Sequence, residues 1–280
     1  MIHSFLMIGQ SNMAGRGYAK DVPLIIDEHI KMQRNGLWQM MTEPIHFDRP
    51  SSGVGLAASF AALWRLDHAQ DEIGLIPCAE GGSSLDDWAV GGALFENTLS
   101  QARLAQRTSV IKGILWHQGE NDCSPEQAKD YSEKLAVIIR TLRQELNIQE
   151  VPLIVGALGD YLSNGLFGQY FTAYPLVNDA LVHFANSHSN SYFVTAQGLT
   201  ANPDGIHFNA MSQRILGVRY YNAYRDLKHI FDPVTDEDKI LSAIYERPYT
   251  KTEKSKLLEY EFTIGNMDGK EYLRQLGALG

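Results

Sequence analysis

The sequence has little of several things, and each scarcity removes a class of explanation. Only two of its 280 residues are cysteine, Cys78 and Cys123. They lie too far apart for a redox Cys-x-x-Cys or half a structural zinc site, so free thiols and cytoplasmic residence are the expectation. There is no HExxH, and the His, Asp and Glu residues fall in no compact ligand pattern, so no metal and no other cofactor is expected. Basic residues are in the minority: 24 Lys and Arg against 33 Asp and Glu give a formal net charge of -9. Without a local basic patch, that balance argues against nucleic acid or an anionic membrane as partner and for an uncharged one. No apolar run approaches the roughly 20 residues that span a bilayer. The first fifteen residues lack a basic leader and a small-residue cleavage site, so they read as a core strand and not as an export signal.

What is present is an alternation. Hydrophobic residues make up 44% of the chain, enough for a large core in one principal domain. Short apolar runs at 4–8, 73–77, 111–116, 152–158 and 192–195 have the length and the Ile/Val content of buried strands. Helical periodicity fills the intervals at 54–66, 93–107, 125–146, 174–187 and 210–224. The third helix is the best marked, with Ser124 as cap, Pro125 at the first helical position and Gln127 completing a capping box. Strands separated by helices need crossover connections, which predicts a three-layer α/β/α domain around a five-stranded, mostly parallel, flavodoxin-like sheet. The pattern stops near residue 228. Residues 229–280 are more charged and read as a mostly helical appendage packed on the 1–228 domain, with Thr235 as an N-cap and Pro248 as a break. Residues 163–170, with two glycines and two aromatics, read as a loop bordering the site.

Ligands of open parallel sheets bind beyond the carboxyl ends of the strands. Four of the five loops there are polar and glycine-rich: GQSNMAG at 9–15, AEGGSSLDDW at 79–88, HQGEND at 117–122 and DGIHFN at 204–209. Ser11 follows a strand and precedes small residues, where a tight turn exposes a hydroxyl. A serine hydroxyl is a weak nucleophile until a base takes its proton. His207 supplies such a base, and Asp204, three residues earlier, is placed to orient the imidazole and stabilise its charged form. Alone, Ser11 is more often a turn former and Asp-Gly ordinary turn chemistry. Their convergence on one sheet edge is what favours catalysis. Acyl transfer also needs oxyanion donors: the Ser11 N–H, the backbone of the Gly81-Gly82 pair, and a side-chain amide for which Gln118 and Asn121 compete.

With these four blocks in hand, the chain resembles the SGNH hydrolase superfamily and, within it, the carbohydrate esterase family 6 and sialate O-acetylesterase-like group, which includes acetylxylan esterases. The resemblance rests on GQSNMAG, GGSSLDDW, WHQGEND and DGIH in that order. It implies Ser11, Asp204 and His207 as a catalytic triad and an oxyanion hole of Ser11, Gly82 and Gln118. It also implies metal-independent deacetylation of an acetylated carbohydrate. The wider superfamily's Gly-x-Asn-Asp is matched by Gly119 to Asp122, which keeps Asn121 in play. Gln118 is favoured because the nearer group carries its donor in Gln-Gly-Glu. Glu120 either assists His207 as a second carboxylate or anchors its loop, and anchoring is the preferred role.

Two other functions compete. A phosphate loop at 9–16 fails on spacing, on Arg16 in place of lysine and on Gly17 in place of Ser or Thr. A non-catalytic carbohydrate-binding protein would use Trp88, Trp116 and Tyr161 as stacking surfaces but would not need a Ser–His–Asp set.

Overall fold

The computed structural model describes residues 1–279. Along the chain run β1 (Ile2–Gly9), α1 (Ser11–Ala14), β2 (Ile30–Arg34), β3 (Leu37–Met40), α2 (Leu56–Asp67), β4 (Glu72–Pro77), α3 (Ala93–Ala105) and β5 (Ser109–His117). There follow α4 (Pro125–Lys129), α5 (Tyr131–Leu146), β6 (Leu153–Gly156), α6 (Tyr174–Ser187), β7 (Ser191–Val194), α7 (Ala210–Asp226), α8 (Glu237–Tyr245), α9 (Lys251–Thr263) and α10 (Gly269–Ala278). Phe5, Leu6, Met7 and Ile8 of β1 are all buried. A strand apolar on both faces belongs in the middle of a parallel sheet covered by helices, and β1 indeed lies between β4 and β5.

The sheet order is β3-β2-β4-β1-β5-β6-β7. The five expected strands form its parallel centre in flavodoxin-like order. The expected count of five is corrected to seven by the hairpin β2–β3, antiparallel within itself and parallel to β4 through β2. Asn35 and Gly36, at φ 51 and 77, make the two-residue turn that such strands favour. Helices α2 and α7 cover one face, while α3, α5 and α6 cover the other. The α2–α7 contact is close enough to exclude a side chain at Gly217, whose added Cβ would meet the Leu56 carbonyl at 2.1 Å.

Two further expectations change in detail. The 125–146 helix divides at Asp130 into α4 and α5, although Ser124 does accept from the Gln127 N–H as its cap. Asp236, not Thr235, occupies the N-cap of α8, at φ 61. Helix α8 buries Leu241 and Ile244, and Glu237 pairs with Arg219 of α7 at 2.6 Å. Helix α9 opens with a capping box between Thr250 and Glu253. Glu253 is buried and also bonds the Glu28 N–H and the Arg247 guanidinium, each at 2.9 Å. No residue of α10 is buried. No helix among the described residues is long and apolar enough to cross a membrane.

Candidate active site

The parallel order brings the ends of β1, β4, β5 and β7 to one edge. Gly9 leaves β1 at φ +141, and a Cβ there would lie 2.0 Å from the His117 carbonyl oxygen. Glycine is therefore what lets β1 turn sharply while still packed on β5. The Gln10 N–H donates to that same carbonyl (2.9 Å), and the Gly15 N–H closes the single turn α1 on the Ser11 carbonyl (2.8 Å). The Ser11 N–H opens this turn and so lies outside its internal hydrogen bonding.

The loop after β7 carries the other two groups. Asp204 Oδ1 accepts from the N–H groups of Ile206 (2.8 Å) and His207 (3.0 Å), so the carboxylate is fixed by its own turn. Its Oδ2 accepts from His207 Nδ1 at 2.8 Å, and His207 Nε2 lies 2.9 Å from Ser11 Oγ. Burial alone would raise the Asp204 pKa, but the His207 N–H, the imidazole and the Ile206 N–H outweigh it and leave it below its ordinary value. An anionic Asp204 accepts a hydrogen bond from Nδ1–H, which keeps the proton on Nδ1 and leaves the Nε2 lone pair facing the serine hydroxyl. Residues 11, 204 and 207 are thus brought into one continuous relay.

Asn12 joins this relay to its surroundings, and reading the sequence alone did not single it out. Its Oδ1 accepts from the Phe208 N–H at 3.0 Å, while its Nδ2 donates to Glu120 and, at 3.4 Å, to the Ile206 carbonyl. Gly82 stands at φ +78 with open space where a Cβ would be. The loop before it is clamped: Gly81 N–H donates to Asp48 (2.9 Å), Asp48 pairs with buried Arg16 (2.5 Å), and Arg49 donates to the Gly81 carbonyl (2.9 Å). Asp48, Arg16 and Arg49 were also missed, because their turn-rich segments carry no sign of what they reach.

Gln118 is not available as an oxyanion donor, which corrects the expectation. Its side chain is wholly buried, and Nε2 faces Gln10 Oε1 (3.1 Å), the Ser83 carbonyl (3.1 Å) and Asp122 Oδ2 (2.5 Å). Two N–H bonds already have three protein acceptors, so none is left for substrate. Asn121 is exposed at the same edge, with Nδ2 donating to the Gly82 carbonyl at 3.1 Å. Asp122 accepts from the Leu85 N–H (2.9 Å) as well as from Gln118; burial raises its pKa. Glu120 is buried beside Asn12, and burial raises its pKa too.

The 163–170 segment does border the site. Gly165 packs backbone to backbone on Gly205, where a Cβ on Gly165 would meet the Gly205 carbonyl at 2.7 Å. Leu166, Phe167 and Tyr170 are exposed there. Trp88 and Trp116, by contrast, are buried against each other with ring centres 5.7 Å apart. They are core residues, which leaves only part-buried Tyr161 of the three aromatics that a binding-only reading needed. Both cysteines are buried and free. Among the described residues no group of three or more His, Cys, Asp or Glu is placed to hold a metal ion.

A flavodoxin-like sheet with these loops at its carboxyl edge is the architecture of an SGNH-type esterase. The model of the carbohydrate esterase, sialic acid-specific acetylesterase family matches residues 1–226, and the chain belongs to that family. It is 29% identical over 245 residues to a probable carbohydrate esterase of Arabidopsis thaliana, covering 79% of this chain and 89% of the relative. The crystal structure of that Arabidopsis protein superposes with a TM-score of 0.70 at 28% identity, over 80% of this chain and 98% of the other. NanS shares the fold at a TM-score of 0.63 and 17% identity, over 81% and 97% of the two chains. A carbohydrate acetylesterase from Xanthomonas citri does so at 0.61 and 20%, over 80% and 56%. Family membership makes the protein a carbohydrate esterase.

Proposed function

We propose that the protein removes O-acetyl groups from an acetylated sugar or oligosaccharide through an acyl-enzyme on Ser11. The observation that carries this reading is the relay from Ser11 Oγ through His207 to Asp204, at 2.9 and 2.8 Å. As the serine oxygen bonds the acetyl carbon, its proton passes to His207 Nε2, and Asp204 stabilises the imidazolium. The sugar oxygen leaves with that proton. Water, deprotonated by the same nitrogen, then attacks the acyl-enzyme, releasing acetate and restoring Ser11. The oxyanion is assigned to the N–H groups of Ser11 and Gly82 and the second N–H of Asn121, replacing Gln118. Each such donor is worth about 3 kcal/mol in the transition state. Residues 1–228 are assigned as the catalytic unit and 229–280 as its appendage.

Acetate release from a panel of acetylated sugars, together with fluorophosphonate labelling, tests the proposal. Labelling at Ser11 and acetate release that both vanish in Ser11→Ala support it. Labelling elsewhere, or a faster rate on p-nitrophenyl octanoate than on the acetate ester, would oppose it.

A further inference from the structure

A second carboxyl group lies beside the relay and takes part in none of the steps above. Glu120 sits just past the end of β5 and is 3% exposed. Its Oε1 accepts from Asn12 Nδ2. The sense of that bond is fixed independently, because Asn12 Oδ1 must accept from the Phe208 N–H, which turns the amide nitrogen toward Glu120. The other oxygen, Oε2, has no hydrogen-bond partner, and neither has His117 Nε2. Both atoms are out of reach of solvent, and Nε2 lies 3.9 Å from Oε1, the oxygen that holds Asn12.

The protonation of His117 follows from its other nitrogen. The Tyr220 hydroxyl donates to the Trp116 carbonyl at 2.7 Å, so it offers only a lone pair to His117 Nδ1 at 3.0 Å. Nδ1 therefore carries the proton. Burial lowers the His117 pKa to about 3, so the ring is neutral and Nε2 presents a lone pair to the carboxyl group. No lysine or arginine is among the titratable groups around Glu120: besides His117 these are Asp122, Cys123, Tyr131, Tyr161, Tyr220 and His207. A carboxylate held only by the Asn12 amide and its own backbone N–H, with a lone pair and Asp122 nearby and no cation, would be a poorly compensated buried charge.

We propose that Glu120 works as an uncharged acid: its Oε1 holds Asn12 as a carbonyl oxygen, and Asn12 fixes the 206–208 loop that carries the base. Glu120 is then a positioning residue for His207, whose only carboxylate partner is Asp204. Burial holds the Glu120 carboxyl above its ordinary range, in agreement. The catalytic half of this inference rests on the serine esterase reading; the protonation half does not.

Glu120→Gln keeps an uncharged oxygen for Asn12, whereas Glu120→Ala removes it. The Gln variant is expected to keep kcat within about twofold and to leave the acid limb of kcat/KM in place, while the Ala variant loses about 100-fold through misplacement of the base. Infrared spectra of the wild type should show a protonated-carboxyl C=O band that Glu120→Gln lacks. With a raised folded pKa, the unfolded state releases this proton first, so the wild type alone loses stability as pH rises above the ordinary 4.5. The Tm advantage of Glu120→Gln should therefore grow with pH. If the band is missing, the Tm difference does not grow, and Glu120→Gln is as impaired as Glu120→Ala with its acid limb displaced to lower pH, Glu120 is a carboxylate and the proposal is overturned. If instead Ser11→Ala stays active, the esterase reading fails, while the infrared band and the Tm trend still decide the state of Glu120.

Discussion

The rim of the candidate active site and the last helix, α10, handle polar side chains in opposite ways. At the rim they are buried and bonded to partners far along the chain: Asn12 reaches Glu120 and Phe208, and Gln118 reaches Gln10 and Ser83. In α10 they are exposed and bonded to neighbours one turn away. The side chains of Arg16 and Asp48 are 7% and 2% exposed, those of Arg274 and Glu271 68% and 39%. Breaking a buried, hydrogen-bonded pair leaves a charge that water cannot reach, whereas an exposed pair exchanges its partner for solvent at almost no cost. The rim is therefore a product of the whole fold, and α10 of its own few residues.

The most severe way to break the rim is at the relay. Ser11→Ala and His207→Ala should each lower kcat by several orders of magnitude with an unchanged circular dichroism spectrum, and the double variant should lose little more, since the two groups act as a unit. Asp204→Asn should lower kcat by about 10³- to 10⁴-fold with little change in KM. In the wild type, kcat/KM should rise with pH as the imidazole becomes neutral; a pH-independent rate between pH 5 and 8 would count against a histidine base.

The two amides at the rim sharpen the comparison. Asn121→Ala should cost about 10²-fold in kcat with Tm unchanged, the mark of an oxyanion donor. Gln118→Ala should lower Tm as well, because it strips a hydrogen-bonding partner from buried Gln10, Ser83 and Asp122. Equal kinetic losses with equal Tm would return Gln118 to the oxyanion site. Asp48→Asn, which removes the charge opposite Arg16, should lower both Tm and kcat more moderately, through a loosened Gly81-Gly82 segment. At the other extreme, Glu271→Ala should leave Tm and turnover unchanged, and a chain ending at Asn266 should keep full activity. Substantial loss of kcat in that shortened chain would show that α10 reaches the site.

The parallel core was legible because its signals are local. Runs such as residues 4–8 and 111–116 are too apolar and too short to be anything but buried strands, and the gaps between them carry helical period. The β2–β3 hairpin was missed although Asn35-Gly36 marks its turn and Ile30, Lys31, Met32 and Gln33 alternate, because it lacks the continuous apolar run that marked the other five strands. Ser11, Asp204 and His207 could be placed on one edge from residue type and strand-end position, and they do lie within hydrogen-bond reach. Gln118 could not be separated from Asn121, three residues away, because which one turns inward depends on Gln10, Ser83 and Asp122. Asn12 looked like any polar residue after a strand; its role lies in contacts 108 and 196 residues distant.

The same separation has a consequence for biosynthesis. Ser11 and His207 are 196 residues apart in sequence, yet their side chains meet at 2.9 Å. During translation Ser11 leaves the ribosome early, just behind the strand that will become the middle of the sheet, and His207 follows only after six more strands have been made. On the proposed mechanism, a partly synthesised chain therefore carries a serine without its base and cannot cleave esters at a useful rate. Hydrolysis begins when the last crossover has docked, so the onset of esterase activity times the completion of the fold, on the ribosome or after dilution from denaturant.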